Sequence, residues 1–111
     1  MRMWMVPPPL LCRSHLLGEH RELHALAGMM KKGIKLDGYV KNSLIETGLI
    51  WARHDHLVHE MLARGYNHHS PLEAIAAPNQ GTVDGPGNLR ELHRRCQNCR
   101  ERIDNARAEN R

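Results

Sequence analysis

The stretch from Ser14 to Gly33 constrains the fold most, because its apolar residues repeat at helical spacing between a start signal and a stop signal. At about 100° per residue, one stripe of this stretch carries Leu16, His20, Leu23, Ala27 and Met30. A second stripe beside it carries His15, Glu19, Glu22, Leu26 and Met29. The pattern predicts a helix whose first stripe faces the core. It places Glu22 on the flank of that face, where a cleft can form.

The rest of the chain also favours helices. It contains no Phe, two Trp and two Tyr, so the core must be built from Leu, Ile, Val, Ala and Met. A second helix is predicted from Ile50 to Arg64, and a third begins at the predicted cap Asn88. Residues 70–73 have the capping-box signature of one short helical turn, and residues 78–87 are rich in Gly and Pro and predict a loop.

A length of 111 residues suits one domain, which we assign to residues 1–111. We therefore expect an all-α fold, a single compact domain of three main helices with long loops. The prolines at positions 7–9 bend the N-terminal arm back, and we expect this arm to pack on the helices.

Charge and cysteine content narrow the class of protein. The net charge of +4 is compatible with a polyanionic partner. An odd count of three cysteines without an export signal argues against a disulfide framework. No stretch approaches the ~20 apolar residues of a membrane span. We expect a soluble, intracellular, cytoplasmic protein with no membrane association.

Two groups of metal-binding residue types need an interpretation. His93, Cys96 and Cys99 form H-x2-C-x2-C, which looks like part of a zinc site. Both cysteines also fall on one apolar seam of the third helix, so we favour core packing and expect no metal. The second group is interpreted as surface or hydrogen-bonded imidazoles and comprises His54, His56, His59, His68 and His69. Outside this group, His20 and His24 stand four positions apart and could face one ion.

The run HLLGEHREL, residues 15–23, resembles the first-helix signature of the pyrimidine-dimer DNA glycosylases of the phage endonuclease V type. In that family a histidine, an acidic residue and then Arg-Glu-Leu occur at these relative positions. The distance of the histidine from the start of the chain also matches. A weaker similarity is RGYN at 64–67, after the second helix. The resemblance implies a DNA N-glycosylase with an associated abasic-site lyase activity, which acts through a Schiff base on its own α-amine without a metal or organic cofactor.

Carried over by position, the resemblance implies that the α-amine of Met1 is the nucleophile and Glu22 the essential carboxylate. Arg2, His15 and Arg21 would place the DNA backbone at the site. We expect Met1 to be retained, because Arg2 is too bulky for the usual methionine removal. From the basic third helix we choose two further DNA contacts, which are Arg95 and Arg102. The implied partner is double-stranded DNA with a damaged base or an abasic site, bound by a monomer.

These residue types suit the chemistry. An α-amine with a pKa of about 7.8 is roughly one-third unprotonated at pH 7.5, whereas a lysine near 10.4 is only about 0.1% unprotonated. A carboxylate stabilises the positive charge that develops on the sugar. The arginine-rich C-terminal stretch lacks the aromatic residues of the phage enzyme's tail, which are expected to bind the lesion. The substrate can therefore be a pyrimidine dimer, another damaged base or an abasic site.

Two other function classes remain. One is a small DNA-binding module without catalysis, and the other is a zinc-binding interaction protein that uses His93, Cys96 and Cys99.

Overall fold

The computed structural model describes residues 1–75 and 77–109, and within these ranges the chain is helical and contains no strand. The helices are α1 (Arg13–Lys31), α2 (Asp37–Lys41), α3 (Ile50–Ala63), α4 (Gly85–Arg95) and α5 (Gln97–Glu109). Two 3-10 turns cover Pro8–Leu10 and Thr47–Leu49. The predicted all-α class is confirmed. None of the helices in the described ranges has the length and apolar character needed to cross a membrane.

The first two predicted helices are confirmed as α1 and α3, which pack against each other. Each ends before a glycine with positive φ, at Gly33 (71°) and Gly65 (82°), a conformation that glycine adopts without steric cost. The core-facing residues of both helices are almost fully buried; among them are Leu16, Leu23, Leu26, Ile50, Leu57 and Met61. These two helices form the centre of the molecule.

The N-terminal arm packs on this centre, as predicted. Met3, Trp4 and Val6 are 0–4% exposed. The backbone N–H of Met3 donates to the carbonyl oxygen of Leu44 at 2.7 Å, and the amide of Asn88 donates to the carbonyl oxygen of Trp4 at 2.9 Å. The arm is therefore held on one side by the segment before α3 and on the other by α4.

The prediction of one continuous third helix from Asn88 is wrong. Asp84 caps α4 instead, because its carboxylate accepts the backbone N–H of Gly87 at 2.9 Å. The helix then breaks at Cys96, which is extended (φ −118°, ψ 108°). The guanidinium of Arg100 donates to two carbonyl groups of the last turn of α4, at 2.7 and 2.8 Å, and so stabilises the break.

The helical turn predicted at 70–73 is also wrong, since residues 70–75 contain no helix. The carbonyl oxygen of Glu73 accepts a hydrogen bond from the indole of Trp51 at 2.7 Å, so a tertiary contact holds this segment. A capping box stabilises only a helix that continues after it, and Pro78 follows closely. The short α2 lies between α1 and α3.

Candidate active site

A cleft of about 370 Å³ lies where the arm, the first half of α1 and the end of α4 meet. Its lining combines cations, carboxylates and two aromatic rings, and consists of Met1, Arg2, Trp4, Ser14, His15, Gly18, Glu19, Glu22, Leu44 and Arg95. Five of these residues were predicted as site residues from the sequence, namely Met1, Arg2, His15, Glu22 and Arg95. The fold brings them together although they are up to 94 positions apart in the chain (95 − 1).

The start of the chain contacts Glu22 directly. The backbone N–H of Arg2 donates to Oε2 of Glu22 at 3.2 Å. The nitrogen of Met1 is three bonds from that of Arg2, so the amine lies within roughly 7 Å of this carboxylate oxygen. Met1 is 37% exposed, which leaves the residue accessible from solvent. An amine and a carboxylate thus share one accessible cleft.

Trp4 holds two arginines at the cleft. The guanidinium carbons of Arg2 and Arg95 lie 4.3 and 4.9 Å from the centre of the Trp4 ring. Cation–π contacts of this kind fix the direction of a guanidinium and do not use its N–H donors. Each guanidinium also has a polar neighbour, since Nη1 of Arg2 donates to Oδ1 of Asn88 at 3.5 Å and Nη1 of Arg95 lies 3.8 Å from Oε1 of Glu91. Sequence analysis missed Trp4, because a tryptophan near a chain start gives no periodic signal.

Beneath the cleft, Glu19 and Arg53 form a buried ion pair. The guanidinium of Arg53 donates to both carboxylate oxygens of Glu19, at 2.6 and 2.9 Å, and to the carbonyl oxygen of Val6 at 2.7 Å. Burial raises the pKa of Glu19, and the bonds from Arg53 oppose that rise. The pair joins the arm, α1 and α3, and so fixes the floor of the cleft.

His15 lies between the cleft and a group of cysteines. Its ring packs edge-on against Trp4, with 5.5 Å between the ring centres. Burial and then the neighbouring Arg95 lower the pKa of His15, while Glu22 opposes this effect. Its Nδ1 faces away from the cleft, 3.1 Å from the sulfur of Cys12.

The structure does not bring the other two predicted DNA contacts into the cleft. Arg21 is exposed on α1 and is not among the residues that line the cleft. The guanidinium of Arg102 donates to the carbonyl oxygen of Pro9 at 2.7 Å and lies 3.9 Å from a carboxylate oxygen of Glu60. It therefore stabilises the 3-10 turn Pro8–Leu10, which we call the polyproline turn.

The structure does not bring together the possible zinc ligands His93, Cys96 and Cys99 as the sequence motif suggested. His93 does not approach the cysteines, because its Nε2 lies 2.8 Å from a carboxylate oxygen of Asp104. Instead, Cys96 and Cys99 meet two residues at the start of α1. This cysteine cluster consists of Cys12, His15, Cys96 and Cys99, whose ligand atoms all lie within 4.8 Å of one another. The helix breaks at Cys96, so the predicted seam is not one continuous helix. The predicted core packing is nevertheless present, because Cys99 is fully buried in the core and Cys96 packs against it.

Four histidines form a second group, the histidine cluster, which consists of His20, His24, His54 and His68. Two of them had been interpreted as separate imidazoles. Burial and then the neighbouring rings, first that of His54, lower the pKa of His20 to about 4. The spacing of His20 and His24 indicated that these two could face one ion, but no local pattern could add His54 and His68, which come from α3 and from the loop after α3.

The fold and the cleft define a small all-helical protein in which the start of the chain lies beside a carboxylate and two arginines. The sequence profile of the pyrimidine dimer DNA glycosylase family matches residues 1–74, which is 74 of 111 positions. The chain belongs to this family, and the resemblance seen in HLLGEHREL is confirmed. Neither the search of curated proteins nor that of solved structures gives a match.

Proposed function

We propose that this protein is a DNA repair enzyme, a pyrimidine-dimer N-glycosylase with an associated abasic-site lyase activity, which acts through the α-amine of Met1. The observation that carries the proposal is the 3.2 Å hydrogen bond from the backbone of Arg2 to Glu22, which holds the start of the chain against a carboxylate. Membership in the pyrimidine dimer DNA glycosylase family supports the same activity.

The chemistry requires an unprotonated amine and a carboxylate at one sugar. The amine of Met1 attacks C1′ of the damaged nucleotide, the bond from C1′ to the base breaks, and the base leaves with the electron pair of that bond. The nitrogen then loses a proton and forms a double bond to C1′ while the bond from C1′ to the ring oxygen O4′ breaks and O4′ takes up a proton. The resulting iminium on the opened sugar carries a positive charge, which the carboxylate of Glu22 stabilises. Glu22 then accepts the proton lost from C2′, and the bond from C3′ to oxygen breaks with departure of the 3′ phosphate.

The cations of the cleft would bind the DNA backbone. Arg2 and Arg95, both held by Trp4, have donors suited to phosphate oxygens, and His15 adds a third polar group at the wall. Arg21 is exposed one position before Glu22 and would bind phosphate outside the cleft. The damaged nucleotide must leave the base stack, because a stacked duplex hides C1′ from the amine.

Borohydride trapping tests the proposal. The protein is mixed with a duplex that carries one abasic site, reduced with borohydride, and the covalent adduct is mapped by tandem mass spectrometry. We expect the adduct on the amine of Met1, and we expect selective dimethylation of the α-amine to abolish it, because a tertiary amine cannot form the iminium. A parallel reaction on a duplex with one thymine dimer measures cleavage of the glycosidic bond as free thymine released after photoreversal, because the cyclobutane ring otherwise keeps the cleaved base attached to its neighbour. An undamaged duplex serves as the control.

Glu22→Gln separates the two steps. This variant should bind the abasic duplex with unchanged affinity but cleave the strand at least about 100-fold more slowly, since it lacks the acceptor for the C2′ proton. An adduct that maps to a lysine, or one that survives blocking of the α-amine, would refute the mechanism. Salt-sensitive binding with no adduct at all would instead identify a DNA-binding module without catalysis.

A further inference from the structure

We propose that the cysteine cluster binds one structural Zn²⁺ ion, which ties the start of α1 to the junction of α4 and α5. A tetrahedral zinc with bonds of about 2.3 Å to sulfur and about 2.0 Å to nitrogen places its ligands roughly 3.5–3.8 Å apart. The Nδ1 of His15 lies 3.1, 3.5 and 3.6 Å from the sulfurs of Cys12, Cys99 and Cys96. The sulfurs of Cys12 and Cys96 are 3.9 Å apart. Four of the six distances between ligand atoms therefore lie within about 0.4 Å of those of a tetrahedral zinc site, and the other two are at most 4.8 Å.

The sequence spacing of the ligands fits the same interpretation. Cys12 and His15 form C-x2-H at the start of α1, and Cys96 and Cys99 form C-x2-C across the helix break. Structural zinc sites use such short pairs from two separate elements. The extended backbone at Cys96 places the two cysteines at the junction of α4 and α5.

Backbone N–H groups point at the sulfurs, as they do around zinc-bound thiolates. The N–H of Cys12 donates to the sulfur of Cys99 at 3.3 Å, and that of Cys99 donates to the sulfur of Cys96 at 3.4 Å. The N–H of His15 donates to the sulfur of Cys12 at 3.5 Å. Such bonds stabilise negative charge on sulfur, which a zinc ligand needs and a packed neutral thiol does not.

A zinc ion in the cysteine cluster would stabilise one wall of the cleft. Residues 96 and 99 lie beyond the segment that matches the family, so the ion would attach this additional segment to α1. A metal on Nδ1 of His15 also fixes the tautomer and direction of its ring, with Nε2–H left as a donor. The binding of zinc does not depend on the proposed DNA chemistry.

Metal content and cobalt spectroscopy test the site. Tag-free full-length protein, purified without chelators, is analysed for zinc per chain and is then exchanged with Co²⁺. We expect the intense visible bands of tetrahedral cobalt together with thiolate-to-cobalt charge transfer in the near ultraviolet. X-ray absorption at the zinc edge should show sulfur ligands at a Zn–S distance of about 2.3 Å.

A thiol reagent gives a second readout that needs no variant. Titration with a mercurial should release one zinc as the three thiols react, and Cys99→Ser should lose one zinc equivalent while His93→Ala retains it. Thiols that react in folded protein without release of zinc, or a cobalt protein without thiolate charge transfer, would overturn the proposal.

An independent observation carries a second metal site, for which we propose one divalent transition-metal ion in the histidine cluster. The Nε2 atoms of His24 and His54 lie 3.1 Å apart. The ring centre of His20 lies 4.8–5.0 Å from the ring centres of His24, His54 and His68. Nitrogen ligands of a tetrahedral zinc at about 2.0–2.1 Å would lie roughly 3.3 Å apart.

Two buried nitrogen atoms of the cluster otherwise lack a partner. In the part of the chain that the structure describes, Nε2 of His20 and Nε2 of His68 are buried and make no hydrogen bond. Such orphaned polar atoms are costly, and a metal ion would satisfy both of them at once.

The ion would anchor a long irregular segment. Two ligands, His20 and His24, stand one turn apart on α1, and His54 faces them from α3. The fourth, His68, belongs to the segment between α3 and α4, whose described residues contain no helix or strand. A loop of this length rarely holds one conformation without a specific tie.

A pair of neighbouring histidines provides a matched test. His68→Ala should remove one metal equivalent per chain, whereas His69→Ala, at the exposed next position, should keep the wild-type content. With Cys99→Ser as background, the remaining cobalt should show only nitrogen-ligand bands. Limited proteolysis between residues 66 and 84 should become faster in His68→Ala alone. Equal metal content in the two histidine variants would refute the second site.

Discussion

The buried pair of Glu19 and Arg53 makes the strongest prediction about stability. Both side chains are at most 4% exposed. Arg53→Met removes three hydrogen bonds, leaves the carboxylate of Glu19 as an unpaired buried charge, and leaves the carbonyl of Val6 without its donor. Removal of one partner of a buried pair costs about 3–5 kcal/mol of unfolding free energy.

For a domain of this size, 1 kcal/mol corresponds to about 4 °C, so we expect the melting temperature to fall by about 12–20 °C. The assay is thermal and urea unfolding at a fixed, saturating zinc concentration, so that metal binding contributes equally to every variant.

A double-mutant cycle tests the reasoning. Glu19→Leu alone should cost about as much as Arg53→Met, because it leaves the guanidinium buried without its carboxylate. Combining the two changes removes both charges, so the double variant should be more stable than the sum of the single effects predicts, by at least about 2 kcal/mol. A cost below about 1 kcal/mol for Arg53→Met, or strict additivity in the cycle, would refute the electrostatic account of the cleft floor.

Three further predictions follow from the cleft, a turn and the metal sites. Arg95→Ala should reduce the magnitude of the slope of log affinity for DNA against log salt concentration by about 1. Arg102→Ala should leave the slope unchanged, because the guanidinium of Arg102 already donates to the polyproline turn. Equal slopes for the two variants in salt titrations would contradict this prediction. Gly81→Ala should lower the unfolding free energy in urea melts by at least about 1–3 kcal/mol, because φ of Gly81 is 89° and a Cβ there would lie 2.3 Å from the carbonyl oxygen of Ile45. The control Gly28→Ala in α1, where a Cβ has room, should be neutral or stabilising. Removal of metal by a strong chelator should lower the melting temperature reversibly, and unchanged melting after complete removal, measured by calorimetry, would contradict a structural role of the ions.

Local patterns in the sequence were sufficient to predict α1 and α3. Helical periodicity and terminal glycines act over a few residues, so their signals survive without knowledge of the fold, and HLLGEHREL identified the family. The extra break at Cys96 depends on the side chain of Arg100, which contacts the last turn of α4 only after the chain has folded back.

The sequence by itself determined an all-α chain, its two central helices and the residues Met1, Arg2, His15, Glu22 and Arg95 as candidates for one site. Tertiary structure decided which side chains meet. Trp4 became the support of two arginines, Arg53 the partner of Glu19, and cysteines 84 positions apart became neighbours. Contacts between residues distant in the chain depend on how whole helices pack, and a local pattern of residue types holds no information about that packing.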